Sequence, residues 1–353
     1  MQRRQFLSSL ALATTGTGLI SSASAEPKTL DNANHRLEPI IAQRLQAGMN
    51  IGVVAPSSNA WENRDVEYAL AVVSSLGFRA IPGKHLFKRR GYLAGSDNER
   101  AEDVNHMFSN PDIQGIFCIR GGYGASRILP LLDYDTIRSN PKVLLGYSDI
   151  TALHLAINTL TGLVTFHGPI AGQQFTTYTY QEFKRIMMEA EHPTPLAAPP
   201  EIAYPPGQAE RHNRLTTFAG GRASGPLIGG NLSLVTSLMG TPYQPDFRGK
   251  LLFLEDVDEK PYSVDRMLTQ LWLAGVFEQI SGLVFGKFTD YEADAPSFSM
   301  EAVMAQRCAD LSIPVIRGLM IGHVDDQSII PVGASAELDA DAGTLTLLGQ
   351  ALL

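Results

Sequence analysis

A serine that follows a short apolar run is the first residue in this chain whose position suggests chemistry. Residues 143–145 are apolar and predict a buried strand, and Ile150 and Leu153 then follow at helical spacing. Ser148 therefore lies at a strand-to-helix turn, where a hydroxyl is exposed beside the backbone N–H groups that begin the helix. This is the geometry of a nucleophile elbow, although Ile150 occupies the place of the second glycine in G-x-S-x-G. The alternative is that Ser148 or Asp149 only caps the helix, because both residue types are good N-caps.

A nucleophilic serine requires a general base within hydrogen-bond reach. The chain has eight histidines, and position and context favour two of them as the base. His323 follows an apolar run that a glycine closes, and His167 ends a predicted strand. The local pattern leaves both open, and a packed or surface histidine is the alternative for each.

The base in turn requires an orienting carboxylate. Glu255 directly follows the apolar run 251–254, so its side chain should emerge at the end of a buried strand. The same segment contains three more acidic residues, Asp256, Asp258 and Glu259. A solvated acidic turn is the alternative for this segment. Because the chain has no H-E-x-x-H motif, no paired C-x-x-C motif and no EF-hand spacing, we expect neither a metal ion nor another cofactor.

A glycine-rich turn is a second candidate for ligand binding. Residues 113–119 predict a strand, and residues 120–124 (Arg-Gly-Gly-Tyr-Gly) follow it. The turn matches neither a phosphate loop nor G-x-G-x-x-G, so it favours close approach of the backbone to a ligand. Both this turn and Ser148 follow the carboxyl ends of predicted strands, where α/β sheets bind ligands.

The order of the elements predicts the fold class. Between residues 50 and 170, strands alternate with helices, which indicates a parallel α/β sheet. Six prolines over residues 193–206 predict a linker, and glycines over residues 220–230 predict turns. A hairpin is expected about residues 341–343. We divide the chain into a signal peptide (1–25), a loosely packed leader (26–47), an N-terminal α/β domain (48–170), a helix and linker (171–210) and a C-terminal domain (211–353).

The overall composition is that of a soluble globular protein. Of the 353 residues, 44% are hydrophobic and 18% are charged. The net charge is −8 and no run is rich in Lys or Arg, which argues against nucleic acid as a partner. The two cysteines, Cys118 and Cys308, do not make a disulfide framework, and the sequence leaves open whether they pair.

The N-terminus predicts export. Arg3 and Arg4 form a twin-arginine pattern, which a mildly apolar run over residues 6–20 follows. The small residues 23–25 predict cleavage before Glu26. The alternative is an N-terminal membrane anchor, for which the run is short and interrupted. We therefore expect a periplasmic protein without stable membrane insertion after cleavage.

Four motifs occur together in this chain, at residues 120–130, 146–153, 254–259 and 322–323. In this order they resemble the LD-carboxypeptidase family, serine peptidases that include murein tetrapeptide carboxypeptidases and microcin self-immunity hydrolases. The resemblance covers about residues 48–340 and implies a triad of Ser148, His323 and Glu255. It also implies an N-terminal parallel α/β domain similar to class I glutamine amidotransferases, a smaller β-rich α+β domain at the C-terminus, and a homodimer.

The resemblance further implies a reaction. The expected substrate is a murein tetrapeptide or muropeptide, whose terminal D-alanine would be released from an L-centre through an acyl-enzyme. Backbone N–H groups of Asp149 and Gly122 are expected to bind the oxyanion. Arg120 is a candidate for binding the free α-carboxylate, or else pairs with a local carboxylate. Two other functions remain open: a microcin-immunity-type amidase of peptidyl or aminoacyl adenylates, and a non-catalytic periplasmic peptide-binding protein.

Overall fold

The computed structural model describes residues 37–200, 204–210 and 213–353, and these form one compact unit. The predicted signal peptide and the first part of the leader lie outside the described residues. Within the described part of the chain, no helix is long and apolar enough to cross a membrane. Cys118 and Cys308 are both buried and both free, so they do not form a disulfide.

The described strands and helices alternate along the first half of the chain, as predicted. The strands are β1 (Asn50–Val54), β2 (Arg79–Pro82), β3 (Gly115–Cys118), β4 (Val143–Gly146), β5 (Thr165–His167), β6 (Thr194–Leu196), β7 (Thr216–Ala219), β8 (Arg222–Asn231), β9 (Leu251–Val257), β10 (Gly282–Thr289), β11 (Val315–Arg317), β12 (Ile330–Val332), β13 (Ser335–Asp339) and β14 (Thr344–Leu347). The helices are α1 (Asn63–Ser75), α2 (Asp97–Ser109), α3 (Ala125–Ile128), α4 (Tyr134–Ser139), α5 (Thr151–Thr161), α6 (Thr177–Phe183), α7 (Leu232–Ser237), α8 (Pro261–Leu273) and α9 (Met300–Cys308).

The first sheet confirms the predicted parallel α/β architecture. Its strand order is β12-β5-β4-β3-β1-β2, and β1 to β5 pair in parallel. Every residue of β3 and β4 is buried, which explains their apolar composition, because helices cover both faces of such a sheet. Strand β12 pairs antiparallel with β5, so the C-terminal part of the chain completes this sheet.

The second sheet has eight strands in the order β6-β14-β13-β8-β9-β10-β11-β7. Strands β8 to β11 pair in parallel, whereas the outer pairs are antiparallel. The predicted hairpin is confirmed, because β13 and β14 pair directly across residues 340–343. Together the two sheets confirm the mixed α/β fold class.

Three of the five glycines predicted as turns lie instead in a long strand, whereas Gly220 and Gly221 lie between β7 and β8. Strand β8 spans ten residues and contains Gly225, Gly229 and Gly230. The prediction was wrong because these glycines serve close packing: a side chain at Gly229 would collide with the carbonyl oxygen of Phe253 on β9. Turn propensity and close approach of two backbones both select glycine, so local composition does not separate them.

The predicted linker contains a strand, and the described part of the leader is packed. The proline-rich linker contains β6, where Pro195 is exposed and its neighbours Thr194 and Leu196 are buried. Proline is tolerated there because β6 is an edge strand, which does not need every N–H group for pairing. The expected loose packing of the leader is also wrong where the leader is described, since Ala42 and Leu45 are buried.

Helix α5, which follows the candidate serine, connects the two sheets. Its first residue, Thr151, accepts a hydrogen bond from the backbone N–H of Asn231 at 3.0 Å. Asn231 ends β8 and caps α7, with its side chain accepting from the N–H of Leu234. The serine turn is therefore held in a fixed position relative to the second sheet.

Candidate active site

Ser148 has the backbone conformation of a strained nucleophile. Strand β4 ends at Gly146, Tyr147 is extended, and Ser148 has φ = +63° before the single helical turn Ser148–Ile150. A left-handed conformation costs a residue with a side chain roughly 1–2 kcal/mol. Neither Ser148 nor Asp149 makes a capping hydrogen bond to the helix, so the capping hypothesis is wrong.

The side chain of Asp149 anchors the serine turn to neighbouring loops of the first sheet through hydrogen bonds. Its Oδ2 accepts hydrogen bonds from the Ser57 hydroxyl and, at 2.7 Å, from the backbone N–H of Ala125. Burial raises the pKa of Asp149, and these hydrogen bonds and the charge of Arg100 oppose that shift. Asp149 thus anchors the turn with its carboxylate while its backbone N–H stays beside Ser148.

The glycine turn after β3 packs directly on the serine. A methyl group at Gly121 would lie 2.8 Å from Ser148 Cβ, 3.0 Å from its Oγ and 3.2 Å from the backbone nitrogen of Asp149. Gly122, the predicted oxyanion residue, has φ = +103° and lies against Ser58. The two turns at the carboxyl ends of β3 and β4 therefore meet, as the sequence predicted.

Replacing Gly121 with alanine is expected to lower kcat/KM by about 100-fold, because the new methyl group displaces the serine hydroxyl by a fraction of an ångström or more. Steady-state kinetics on a peptide substrate measure this effect. Gly349→Ala is the matched control, since a methyl group there meets nothing within 4 Å. Unchanged kinetics in Gly121→Ala would contradict the placement of this turn against the nucleophile.

A histidine and a carboxylate form a pair at β9, a central strand of the second sheet. Glu255 is fully buried on β9, and its Oε2 lies 2.7 Å from Nδ1 of His323. A carboxylate is an acceptor, so Nδ1 of His323 carries the proton that it donates, and Nε2 is the basic nitrogen. Burial lowers the pKa of His323, but the hydrogen bond and charge of Glu255 outweigh it, and the pKa is raised overall.

The other candidate base, His167, lies in the core. It is fully buried on β5, and burial, followed by the charges of His154 and His323, lowers its pKa well below the ordinary value. Its ring lies 6.1 Å from that of Tyr147, whose ring in turn lies 4.7 Å from that of His323. His167 therefore packs against Tyr147 within the core and is not the base.

One cavity of about 560 Å³ brings most of the predicted site residues together. Its lining includes Arg120, Gly121, Gly122, Tyr147, Ser148 and His323, whereas Glu255 is buried behind His323. Arg120 Nη1 donates to the carbonyl oxygen of Asn59 at 2.9 Å, and Arg120 forms no ion pair with any carboxylate of the described residues. The alternative, a structural ion pair between Arg120 and a local carboxylate, is therefore not observed among the described residues.

The acidic segment after Glu255 contains a second buried carboxylate that the sequence did not identify. Asp256 accepts hydrogen bonds from Asn231 Nδ2 at 2.9 Å and from the N–H of Ser233 at 3.0 Å. Burial and the charge of Glu255 raise its pKa to about 6. Among the described residues, no group of three or more His, Cys, Asp or Glu side chains is arranged to hold a metal ion.

A strained serine and a histidine–carboxylate pair that open into one cavity are typical of serine hydrolases. Two family models match the chain: the LD-carboxypeptidase N-terminal domain over residues 51–168 and the LD-carboxypeptidase C-terminal domain over residues 224–338. The chain belongs to the LD-carboxypeptidase family and is a serine carboxypeptidase.

Curated relatives and solved structures agree with this family. The chain is 37% identical to a probable murein peptide carboxypeptidase of Bacillus subtilis, over 86% of this chain and 92% of that protein. It is 29% identical to the murein tetrapeptide carboxypeptidase of Pseudomonas aeruginosa, over 82% of this chain and 93% of that protein. A muramoyltetrapeptide carboxypeptidase from Oxalobacter formigenes has a TM-score of 0.74 at 29% identity, covering 86% of this chain and all of that one.

A second group of relatives acts in microcin immunity. The chain is 29% identical to the microcin C7 self-immunity protein MccF of Escherichia coli, over 89% of this chain and 97% of that protein. The structure of MccF in complex with glutamyl sulfamoyl guanosine has a TM-score of 0.81 at 28% identity, covering 89% of this chain and all of that one.

Proposed function

We propose that this enzyme releases the terminal D-alanine of murein tetrapeptide stems, cleaving the bond between an L-centre and D-alanine. The observation that carries the proposal is the cavity that Ser148 and His323 share, with Glu255 hydrogen-bonded behind the histidine. The names of the Bacillus, Pseudomonas and Oxalobacter relatives support the substrate class.

In the proposed mechanism, His323 Nε2 accepts the Ser148 proton as the serine oxygen attacks the scissile carbonyl carbon. Glu255 orients the imidazole and stabilises its charged form. Backbone N–H groups of Asp149 and Gly122 donate to the oxyanion, and one such donor contributes about 3–4 kcal/mol in the transition state. The imidazolium then protonates the leaving amine of D-alanine, and water, deprotonated by His323, hydrolyses the acyl-enzyme.

Arg120 is the proposed partner of the substrate's terminal carboxylate. Its guanidinium reaches the cavity with one N–H group bound to Asn59, which leaves other donors for a carboxylate. Since only an exopeptidase needs this contact, Arg120 would make the enzyme selective for the chain end.

Replacing Arg120 with glutamine is expected to remove the preference for a free carboxylate. Wild-type kcat/KM for the tetrapeptide acid should exceed that for its C-terminal amide by about 100-fold, and in Arg120→Gln the ratio should fall to near one, mainly through KM. Arg127→Gln is the control, because Arg127 pairs with Asp97 and is not part of the cavity wall. A variant that still discriminates acid from amide would assign the carboxylate to another group.

The similarity to MccF supports a second candidate, an amidase of peptidyl or aminoacyl adenylates. The two substrates are separated by a direct comparison of kcat/KM on a murein tetrapeptide and on an aminoacyl sulfamoyl adenosine. Faster turnover of the nucleotide-bearing compound would favour the amidase and reject the carboxypeptidase proposal.

We also propose that the enzyme is exported and works as a homodimer in the periplasm. The twin-arginine pattern at Arg3 and Arg4 supports export, and it lies outside the described residues. Detection of the cleaved protein in the periplasmic fraction, and a dimer mass in light scattering, test the two parts separately. A protein found only in the cytoplasm, or only as a monomer, would reject the corresponding part.

A further inference from the structure

Two exposed aromatic side chains stand in the wall of the active-site cavity. Trp61 is 84% exposed and Tyr68 is 46% exposed, and both line the same cavity as Ser148. A tryptophan contributes a large apolar surface, and leaving it in water is unfavourable. Such a surface at the edge of an active site indicates that a ligand covers it.

The two rings belong to one face of the chain. Asp65 and Tyr68 lie three residues apart on α1 (Asn63–Ser75) and therefore on one side of it. Trp61 lies two residues before the helix and lines the same cavity. Asp65 also lines the cavity. Its Oδ2 accepts from the backbone N–H of Glu62 at 2.9 Å, and its Oδ1 has no hydrogen-bond partner among the described residues. We call these three residues the Trp61–Asp65–Tyr68 face.

The chemistry of this face fits a sugar ring. A pyranose has an apolar side of C–H groups, which packs on an aromatic ring, and hydroxyl groups at its edge, which donate to a carboxylate. The Trp61–Asp65–Tyr68 face offers both kinds of contact, and it is continuous with the wall that contains the nucleophile.

The proposed substrate has a sugar at the matching end. A murein stem is joined to an N-acetylmuramoyl residue at its N-terminus, and the scissile bond lies at its C-terminus. Three residues separate the two ends, and three extended residues span about 10 Å. A stem with its D-alanine bond at Ser148 therefore carries its sugar about 10 Å from the nucleophile, beyond the catalytic residues.

We propose that the Trp61–Asp65–Tyr68 face is a subsite for the N-acetylhexosamine sugar attached to the stem, so that the enzyme prefers glycan-linked stems to free peptides. This inference rests on the proposed carboxypeptidase function. It assigns to the three residues a role in substrate selection, separate from the chemistry at Ser148.

The kinetic test compares a disaccharide-linked tetrapeptide with the free tetrapeptide of the same sequence. Wild-type kcat/KM for D-alanine release should be about tenfold higher for the disaccharide-linked form, and Trp61→Ala should reduce this ratio to near one. Trp272→Ala is the matched control, because Trp272 is 48% exposed on α8 and does not line the cavity. A wild-type ratio near one, or an unchanged ratio in Trp61→Ala, would overturn the inference.

A binding test is independent of catalysis. The chain has two tryptophans, so Trp272→Phe leaves Trp61 as the single indole reporter. Titration of this variant with the peptide-free disaccharide should change its fluorescence in a saturable way, and Trp61→Ala should abolish binding in calorimetry. No saturable change would overturn the inference, as would a dimer that becomes a monomer in Trp61→Ala, since Trp61 would then be a subunit contact. Binding without D-alanine release from either substrate would support the subsite and reject the proposed reaction.

Discussion

Ser148→Ala is expected to lower kcat for D-alanine release by roughly 10⁴- to 10⁶-fold, the loss that removal of a catalytic serine causes in other triads. The reason is that Ser148 supplies the attacking hydroxyl, which lies against the Gly121 turn in the cavity that His323 also lines. Chromatographic detection of free D-alanine over hours is sensitive enough to measure a rate that is lower by this factor. Ser75→Ala, at the exposed end of α1, is the control for a neutral serine substitution.

The strained backbone gives this prediction a second readout. Alanine keeps the cost of φ = +63° at position 148, whereas glycine adopts this conformation without it. Ser148→Gly should therefore be more stable to unfolding than Ser148→Ala by about 1 kcal/mol, while both are inactive. A Ser148→Ala enzyme that retains several per cent of wild-type activity would contradict the assignment of the nucleophile.

Glu255→Gln is expected to lower kcat/KM by roughly 10³- to 10⁴-fold and to move its pH dependence. In the wild type, kcat/KM should fall as the pH drops through the pKa of His323, because the protonated ring cannot accept the Ser148 proton. Since Glu255 raises that pKa, a neutral glutamine should shift the acidic limb of the profile to lower pH.

A pH series of kcat/KM for both enzymes measures the shift, with Glu259→Gln as the control from the same acidic segment. An acidic limb at the same pH in Glu255→Gln would show that the titrating group is not His323.

The stability of the fold should depend on pH in the opposite sense to the activity. The pair stabilises the fold fully below pH 6.5, the ordinary pKa of histidine, and this contribution is lost as the pH rises through the raised pKa of the folded state. The protonation state that stabilises the protein is thus the inactive one.

The parts of the site that could be predicted are those with a local signature at a strand end. Ser148 and the Arg120 turn each follow an apolar run, and parallel strands bring their carboxyl ends to one edge of the first sheet. Glu255 also follows an apolar run, but it lies in the second sheet, within β9, which continues to Val257. The local sequence could not decide whether His323 or His167 is the base. It depends on which histidine reaches the cavity and which is enclosed, and the structure encloses His167 between Tyr147 and Phe253.

The parts that could not be predicted depend on contacts between distant segments. Strand β12 joins the first sheet from the far end of the chain. The glycines of β8 are needed because β9 packs closely against them, not because the chain turns there. Asp256 looks like a solvated acid in the sequence, yet the capping residues of α7 bury it. Sequence periods report local geometry, so these long-range pairings leave no distinct pattern.

Covalent labelling of the nucleophile tests the central claim most directly. Intact-mass analysis after reaction with an alkyl fluorophosphonate should show one adduct per chain, located on Ser148 by peptide mapping and absent from Ser148→Ala. The rate of labelling should fall in Glu255→Gln, because the histidine is then less well oriented. A wild-type enzyme that remains unlabelled, or that carries the adduct on another residue, would contradict the account and favour a non-catalytic peptide-binding protein or a different nucleophile.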